Sequence, residues 1–88
     1  MRKLVLEDEA QRHIQALLIS EPKLIKKIFD LIGDVQKHPF EGIGKPEALK
    51  HELTGYWSRR ITDKHRLVYQ VTDDDIIIIR CKDHYDDK

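Results

Sequence analysis

The hydrophobic pattern of this chain changes its period once, and that change limits the possible folds more than any other feature. Up to residue 37, apolar side chains recur every three or four positions, which is the spacing of amphipathic helices. Residues 38–47 then form a loop rich in proline and glycine, and beyond it apolar and polar residues alternate as in β-strands. Helices followed by strands are typical of an α+β fold, with the helices packed on one face of a mainly antiparallel sheet.

The first half of the chain is predicted to contain a short strand at residues 2–6 and two helices. We expect Ser20 to cap the second helix, which has Pro22 in its first turn and ends at Lys37. The apolar face of the first helix is formed by Ala10, Ile14, Leu17 and Leu18. The apolar face of the second helix is formed by Leu24, Ile28, Leu31, Ile32 and Val35.

The second half is predicted to contain four strands, at residues 49–53, 56–62, 66–72 and 76–85. The links between these strands are short, so the strands must pair in an antiparallel way. Residues 1–88 are therefore expected to form a single domain of two layers. One face of its sheet lies under the helices, and the other face is open.

The register of these strands decides which side chains share the open face. If residues 63–65 form a turn, Thr62 lies opposite Arg66, and Arg60 points outward with Arg66. The positions expected in the core are Ile61, Leu67, Tyr69, Val71, Ile77, Ile79 and Cys81. The basic side chains expected on the open face are Arg60, Arg66, Arg80, Lys82 and His84.

Charge is distributed unevenly, although 16 basic and 16 acidic residues give a net charge of zero. The bases concentrate at residues 37–66, where like charges on neighbouring strands repel and an anion would relieve them. Phosphate suits this face because arginine is a bidentate donor and lysine a point charge. Tyr56, Trp57 and Tyr85 can stack on bases. Judged on charge alone, an ordinary solvated face remains the alternative.

Several classes of function find no support. The five histidines lack the spacing of a zinc site and there is one cysteine, so no metal or cofactor is expected and Cys81 is predicted to be a buried thiol. No apolar run approaches the roughly 20 residues of a membrane helix, and no signal peptide is recognisable, which predicts a cytoplasmic protein without membrane contact. Glu47 and His84 are the better candidates, as a base and an acid.

Residues 39–74, followed by Cys81 and the pair His84 and Tyr85, closely resemble the YoeB toxins of the RelE/ParE superfamily. The most specific run, residues 39–72, reads PFEGIGKPEALKHELTGYWSRRITDKHRLVYQVT. The resemblance implies a RelE-like microbial RNase fold and a toxin of a type II toxin–antitoxin system. It also implies a ribosome-dependent endoribonuclease that cleaves messenger RNA in the ribosomal A site. The implied partners are a YefM-like antitoxin, the ribosome with its message, and a second copy in a homodimer.

The resemblance also assigns roles by position. The catalytic residues are Glu47, Arg66 and His84, and the substrate-binding residues are Lys50, Arg60 and Tyr85. Glu47 takes a proton from a ribose 2′-OH, His84 protonates the leaving 5′-oxygen, and the product is a 2′,3′-cyclic phosphate. The cations stabilise the extra negative charge of the pentacoordinate phosphate without a metal.

Two features depart from the family pattern. Lys82 and Asp83 stand where the family usually has an arginine and an aromatic residue, and Asp86, Asp87 and Lys88 follow the tyrosine that usually ends the chain. Two other functions stay open: a toxin that docks on DNA gyrase, as ParE proteins do, and an inactive module that binds RNA or antitoxin. The codon or base preference, the dimer interface, the identity of the antitoxin and the effect of the tail are not determined by the sequence.

Overall fold

A computed structural model describes residues 1–83 and contains two helices and five strands in this range. In chain order the elements are β1 (Lys3–Leu6), α1 (Asp8–Ser20), α2 (Lys23–Lys37), β2 (Glu47–Ala48), β3 (Tyr56–Arg60), β4 (Arg66–Val71) and β5 (Asp75–Arg80). The strands form one sheet in the order β1-β5-β4-β3-β2, in which the pairing of β1 with β5 is parallel and the others are antiparallel. The predicted α+β architecture is confirmed. None of the helices described has the length and hydropathy of a membrane span.

The helices contribute one side of the core. Four apolar residues of α2 and two of α1, Ala10 and Leu17, are buried, and they pack with the inward side chains of β4 and β5. Leu18 was predicted to lie on the apolar face of α1, and this is wrong, because its side chain is 52% exposed. The predicted cap at Ser20 is wrong, because Ser20 is the last residue of α1 and its hydroxyl donates to the Ala16 carbonyl at 3.1 Å. Pro22 instead precedes α2, without a side-chain capping bond.

The predicted strand at residues 49–53 is also wrong. The strand that pairs with β3 is only Glu47–Ala48, and His51–Leu53 form a turn of 3₁₀-helix. His51 has a positive φ of 56°, and its carbonyl accepts a hydrogen bond of 2.7 Å from the Thr54 hydroxyl. The apolar spacing in this segment therefore comes from a turn, whose hydroxyl bond to the backbone competes with a strand ladder.

The hairpin of β3 and β4 keeps the predicted alternation but shifts the pairing by two residues. Arg60, instead of Thr62, lies opposite Arg66, and the turn is wider because the Thr62 hydroxyl accepts hydrogen bonds from the amides of residues 64 and 65. A shift of two leaves every side chain on its predicted face. Ile61 and Leu67 are accordingly buried in the core, and Arg60 and Arg66 share the other face.

A β-bulge changes the prediction for β5. Tyr69 pairs with Ile78, but the next residue back, Val68, pairs with Arg80, so Ile79 is an extra residue in the ladder. Ile76 and Ile78 are therefore buried, and the predicted core positions Ile77 and Ile79 are wrong. Beyond the bulge the alternation returns to the predicted phase, and Cys81 is fully buried as expected. Burial raises the pKa of the Cys81 thiol to about 11, which fits a structural thiol.

Candidate functional site

Three of the predicted site residues lie on the sheet face that the helices leave uncovered. Glu47 pairs with Ser58, and Arg60, two residues further along β3, pairs with Arg66. From strand spacing, the Cα atom of Glu47 lies about 8 Å from that of Arg60 and about 12 Å from that of Arg66. Glu47 and Arg60 are exposed and Arg66 is half-buried. Such spacing allows the carboxylate and both guanidinium groups to meet around one phosphate.

Glu47 reaches this face because the loop before it has a fixed shape. The loop is held by Arg59, which is one of the bases concentrated at residues 37–66 but is fully buried. Its guanidinium donates to the Asp34 carboxylate and to the carbonyls of His38 at 2.5 Å, Glu41 at 2.8 Å and Ile43 at 3.0 Å. Tyr69 adds to these contacts, since its hydroxyl accepts from Arg59 Nε at 3.2 Å and donates to the Pro39 carbonyl at 2.8 Å. We call this set of hydrogen bonds around Arg59 the clamp.

The clamp explains two glycines and the titration of Asp34. A Cβ atom at Gly42 would lie 2.0 Å from Asp34 Oδ2, and one at Gly44 would lie 2.7 Å from Leu31 Cδ2. Both glycines also have positive φ angles, which side chains rarely adopt. The pKa of Asp34 lies below its ordinary value of 3.8 because Arg59 donates a hydrogen bond to its carboxylate.

Sequence reasoning missed Arg59 as a structural residue, although its position contained the signal. Arg59 stands between two residues of the open face and opposite Leu67, so alternation along β3 points it into the core. A charge that points inward requires a partner. Asp34, on the inner side of α2, is that partner.

Arg66 is placed to bind an anion but also stabilises its own turn. Its Nη1 donates to the carbonyls of Thr62, Asp63 at 3.1 Å and His65 at 3.1 Å. Within residues 1–83 these contacts involve Nη1, in a side chain that shares the open face with Arg60. Arg60 is less constrained, as its Nη1 lies 3.8 Å from an exposed carboxylate of Asp63.

The remaining predicted residues divide into two groups. Lys50 is exposed directly before the 3₁₀ turn, at the edge formed by β2. His84 and Tyr85 lie outside the described residues, so their predicted roles are not tested. Asp83 is the last residue described, and its carbonyl accepts from the amide of Arg66 at 3.3 Å. The segment that follows β5 therefore contacts Arg66, one of the predicted catalytic residues.

The basic and aromatic surface is smaller than predicted. Trp57 lies on the helix side of the sheet, half-buried against the core, with its ring centroid 5.1 Å from that of Phe40. It is therefore not a stacking surface for bases, whereas Tyr56 shares the open face. Arg80 pairs with Val68, so its position belongs to the open face as predicted, but its Nε lies 4.0 Å from Glu9 Oε2 of helix α1.

Comparison with known proteins identifies similar sequences and structures. Residues 7–85 match the model of a YoeB-like toxin of bacterial type II toxin–antitoxin systems. Toxin YoeB of Escherichia coli K12 is 49% identical over 83 residues, which cover 94% of this chain and 99% of the relative. The YoeB dimer from Staphylococcus aureus has a TM-score of 0.87 and 42% identity, with 96% and 98% of the two chains covered. A heterotetrameric YoeB–YefM toxin–antitoxin complex from the same organism has a TM-score of 0.85 and 42% identity, with 97% and 99% covered.

Proposed function

This chain belongs to the YoeB-like toxins of bacterial type II toxin–antitoxin systems, and from that membership we propose that it is a ribosome-dependent endoribonuclease that cleaves messenger RNA. The observation that carries the proposal is the arrangement of Glu47, Arg60 and Arg66. They lie on one uncovered sheet face, and the loop that delivers the carboxylate is held rigidly. A base beside two guanidinium groups suits a reaction in which a proton is removed next to a phosphate.

In the proposed reaction Glu47 accepts the proton of a ribose 2′-hydroxyl. The 2′-oxygen attacks the adjacent phosphorus, and the bond to the 5′-oxygen of the next nucleotide breaks. His84 protonates that oxygen, so the products are a 2′,3′-cyclic phosphate and a free 5′-hydroxyl. Arg66, Arg60 and Lys50 stabilise the charge on the phosphoryl oxygens. One well-placed donor contributes about 3–4 kcal/mol in comparable sites. Side chains perform every proton transfer in this scheme, so it contains no metal or cofactor.

Dependence on the ribosome follows from the charge of the molecule. Net charge is zero, and the cations of the open face can neutralise only a few phosphates. On single strands, each contacted phosphate adds about −0.7 to the slope of log affinity against log salt concentration. Binding that rests on only a few phosphate contacts is therefore weak at physiological salt. We infer that the ribosome holds the message in place, and that naked RNA is cut poorly at about 150 mM salt.

The proposed partners come from the relatives. The YoeB of Staphylococcus aureus forms a dimer and a heterotetramer with YefM. We propose a homodimer and a YefM-like antitoxin for this chain as well. The proposed site of action is the A site of cytoplasmic ribosomes.

A reconstituted translation reaction tests the function. Wild-type protein should truncate ribosome-bound message and leave ends that react as 2′,3′-cyclic phosphates, whereas Glu47→Ala should leave the message intact. If the wild type spares the message but alters the supercoiling of DNA in the presence of gyrase, the molecule is a gyrase-directed toxin. If the protein binds message or antitoxin without cleavage, it is an inactive module and the proposal is wrong.

A further inference from the structure

Two histidine rings hold the backbone at the end of the described chain. The amide of Cys81 donates to His13 Nδ1 at 3.1 Å, and the amide of Asp83 donates to His65 Nδ1 at 2.7 Å. Burial lowers the pKa of His13, which keeps that ring a hydrogen-bond acceptor. The chemistry proposed above uses neither ring, yet both bind the segment that leads directly to His84.

His65 is the more constrained of the two. It is 1% exposed, and its Nε2 lies 2.9 Å from the Glu21 carboxylate at the end of helix α1. An Nδ1 that accepts an amide proton has none of its own, so the hydrogen bonds assign the neutral ring with its proton on Nε2. Its backbone is equally fixed, since the His65 amide donates to the Thr62 hydroxyl at 3.0 Å and its carbonyl accepts from Ile61 at 3.0 Å.

The residue held by this ring has an unusual backbone. Asp83 has a φ of 64°, in the left-handed region that residues other than glycine adopt rarely. Such a conformation persists only where its surroundings enforce it. Two hydrogen bonds enforce it here, from the Asp83 amide to His65 and from the Arg66 amide to the Asp83 carbonyl. The adjacent residues 65 and 66 thus fix both backbone polar groups of Asp83, its amide and its carbonyl.

We propose that His65 is a positioning residue, which holds the backbone of Asp83, the residue directly before the proposed general acid His84, while the amide of Arg66 holds the Asp83 carbonyl. This inference rests on the proposed function, because it assigns His65 to the same reaction. Arg66 contributes charge to the site through its side chain, and its amide holds the Asp83 carbonyl. The buried ring of His65 holds the Asp83 amide from inside the core.

The tautomer of His65 tests the contact in the wild-type protein, whatever its activity. Long-range ¹⁵N–¹H spectra should show a neutral ring protonated at Nε2 and unprotonated at Nδ1, and the Asp83 amide should exchange at least 100-fold more slowly than an unstructured amide. A ring protonated at Nδ1, or an Asp83 amide that exchanges freely, would overturn the proposal.

Two conservative variants test the role in catalysis. In His65→Asn the side-chain oxygen can occupy the position of Nδ1 and still accept from the Asp83 amide. In His65→Gln the side-chain amide reaches the position of Nε2 near Glu21, and no acceptor remains at the position of Nδ1. We expect Gln to lower the single-turnover cleavage rate of ribosome-bound message at least tenfold, with affinity for the ribosome unchanged within twofold. Asn should stay within about threefold of wild type. His38→Gln, the same change at an exposed histidine, should behave as wild type.

The outcomes separate the two proposals. If wild type does not cleave ribosome-bound message, the proposed function fails, while the spectra still decide whether His65 holds Asp83. If wild type cleaves and the Gln and Asn variants cleave equally well, the positioning role fails and the function stands. If both variants lose the same cleavage rate, and this loss matches the fraction of protein that is unfolded, His65 is purely structural and the positioning role fails.

Discussion

Replacement of Arg59 by methionine tests the physical basis of the loop that delivers Glu47. Methionine has a similar length but no charge or donors, so the change removes five hydrogen bonds in a side chain that is 0% exposed. At about 1 kcal/mol net for each bond, the loss is about 5 kcal/mol. Removal of one partner from a buried ion pair costs a similar amount, about 3–5 kcal/mol. Asp34 keeps 22% of its side chain exposed and can be rehydrated, so we expect the lower part of that range.

Urea denaturation measures this loss directly. Trp57 is the one tryptophan, and its packing on Phe40 beside the loop makes its fluorescence a reporter of the affected region. A chain of this size has a free energy of unfolding of about 4–13 kcal/mol, so the variant should lose a large part of it. The midpoint should shift to lower urea with little change in slope.

The matched control is the same substitution at the next position. Arg60→Met removes an exposed guanidinium whose described partner is an exposed carboxylate 3.8 Å away, so it should cost less than about 0.5 kcal/mol. It should nevertheless reduce cleavage of ribosome-bound message, because Arg60 lies on the open face. If Arg59→Met costs less than about 1 kcal/mol, or no more than Arg60→Met, the reasoning about the clamp is refuted.

Three further predictions address the site, the pH dependence and the tail. Glu47→Ala and Arg66→Ala should each abolish growth inhibition with the fold retained, while Arg12→Ala on the exposed side of α1 should have no effect; equal effects at all three positions in a growth assay would indicate general electrostatic binding. The pKa of Asp34 is lower in the folded chain than its ordinary 3.8, so the contribution of its carboxylate to the free energy of unfolding is complete above pH 3.8 and is lost as the pH falls through the pKa of the folded chain. The urea midpoint should therefore fall more steeply between pH 6 and pH 2 for wild type than for Asp34→Asn. Parallel curves would contradict this. Truncation after Tyr85 should change the cleavage rate less than about tenfold, or 1.4 kcal/mol in the barrier, and a larger change would assign the tail to the site.

The sequence predicted most of what depends on local periodicity. The apolar face of α2 has five positions at helical spacing, and four of them are fully buried. The alternation in β3 and β4 was strong enough to survive a shift of two residues in their pairing. Periodicity carries no information about a cap, however, and Ser20 was assigned to the wrong helix end because its hydroxyl bonds within its own helix.

The prediction failed in β5 for a physical reason. Residues 76–79 are four isoleucines in succession, so the run has no alternation from which its phase can be read. The phase came instead from an assumed regular ladder with β4, and the bulge at Ile79 breaks that ladder. A bulge depends on pairing between strands, which a single strand does not encode.

The candidate site shows the same division between local and distant information. Arg60 and Arg66 were assigned to one face by alternation, whereas Glu47 was proposed only as a base and by the resemblance, and the structure places all three on the same face. Arg59 and His65 were missed, because the burial of a polar group depends on partners far along the chain. The partner carboxylates are 25 residues from Arg59 and 44 residues from His65.

Alternation in the β3–β4 hairpin puts the residues that hold the backbone on one face of the sheet and the residues proposed to bind phosphate on the other. The odd-numbered residues Arg59 and His65 point inward, where one clamps the loop before Glu47 and the other holds Asp83. The even-numbered residues Arg60 and Arg66 point outward, where a phosphate can reach them. Because side chains alternate strictly between the two faces, neighbouring residues of one hairpin can fix the backbone around a site and supply its charges. The cost of changing Arg59 should therefore appear mainly in the free energy of unfolding, and that of changing Arg60 mainly in the rate of cleavage.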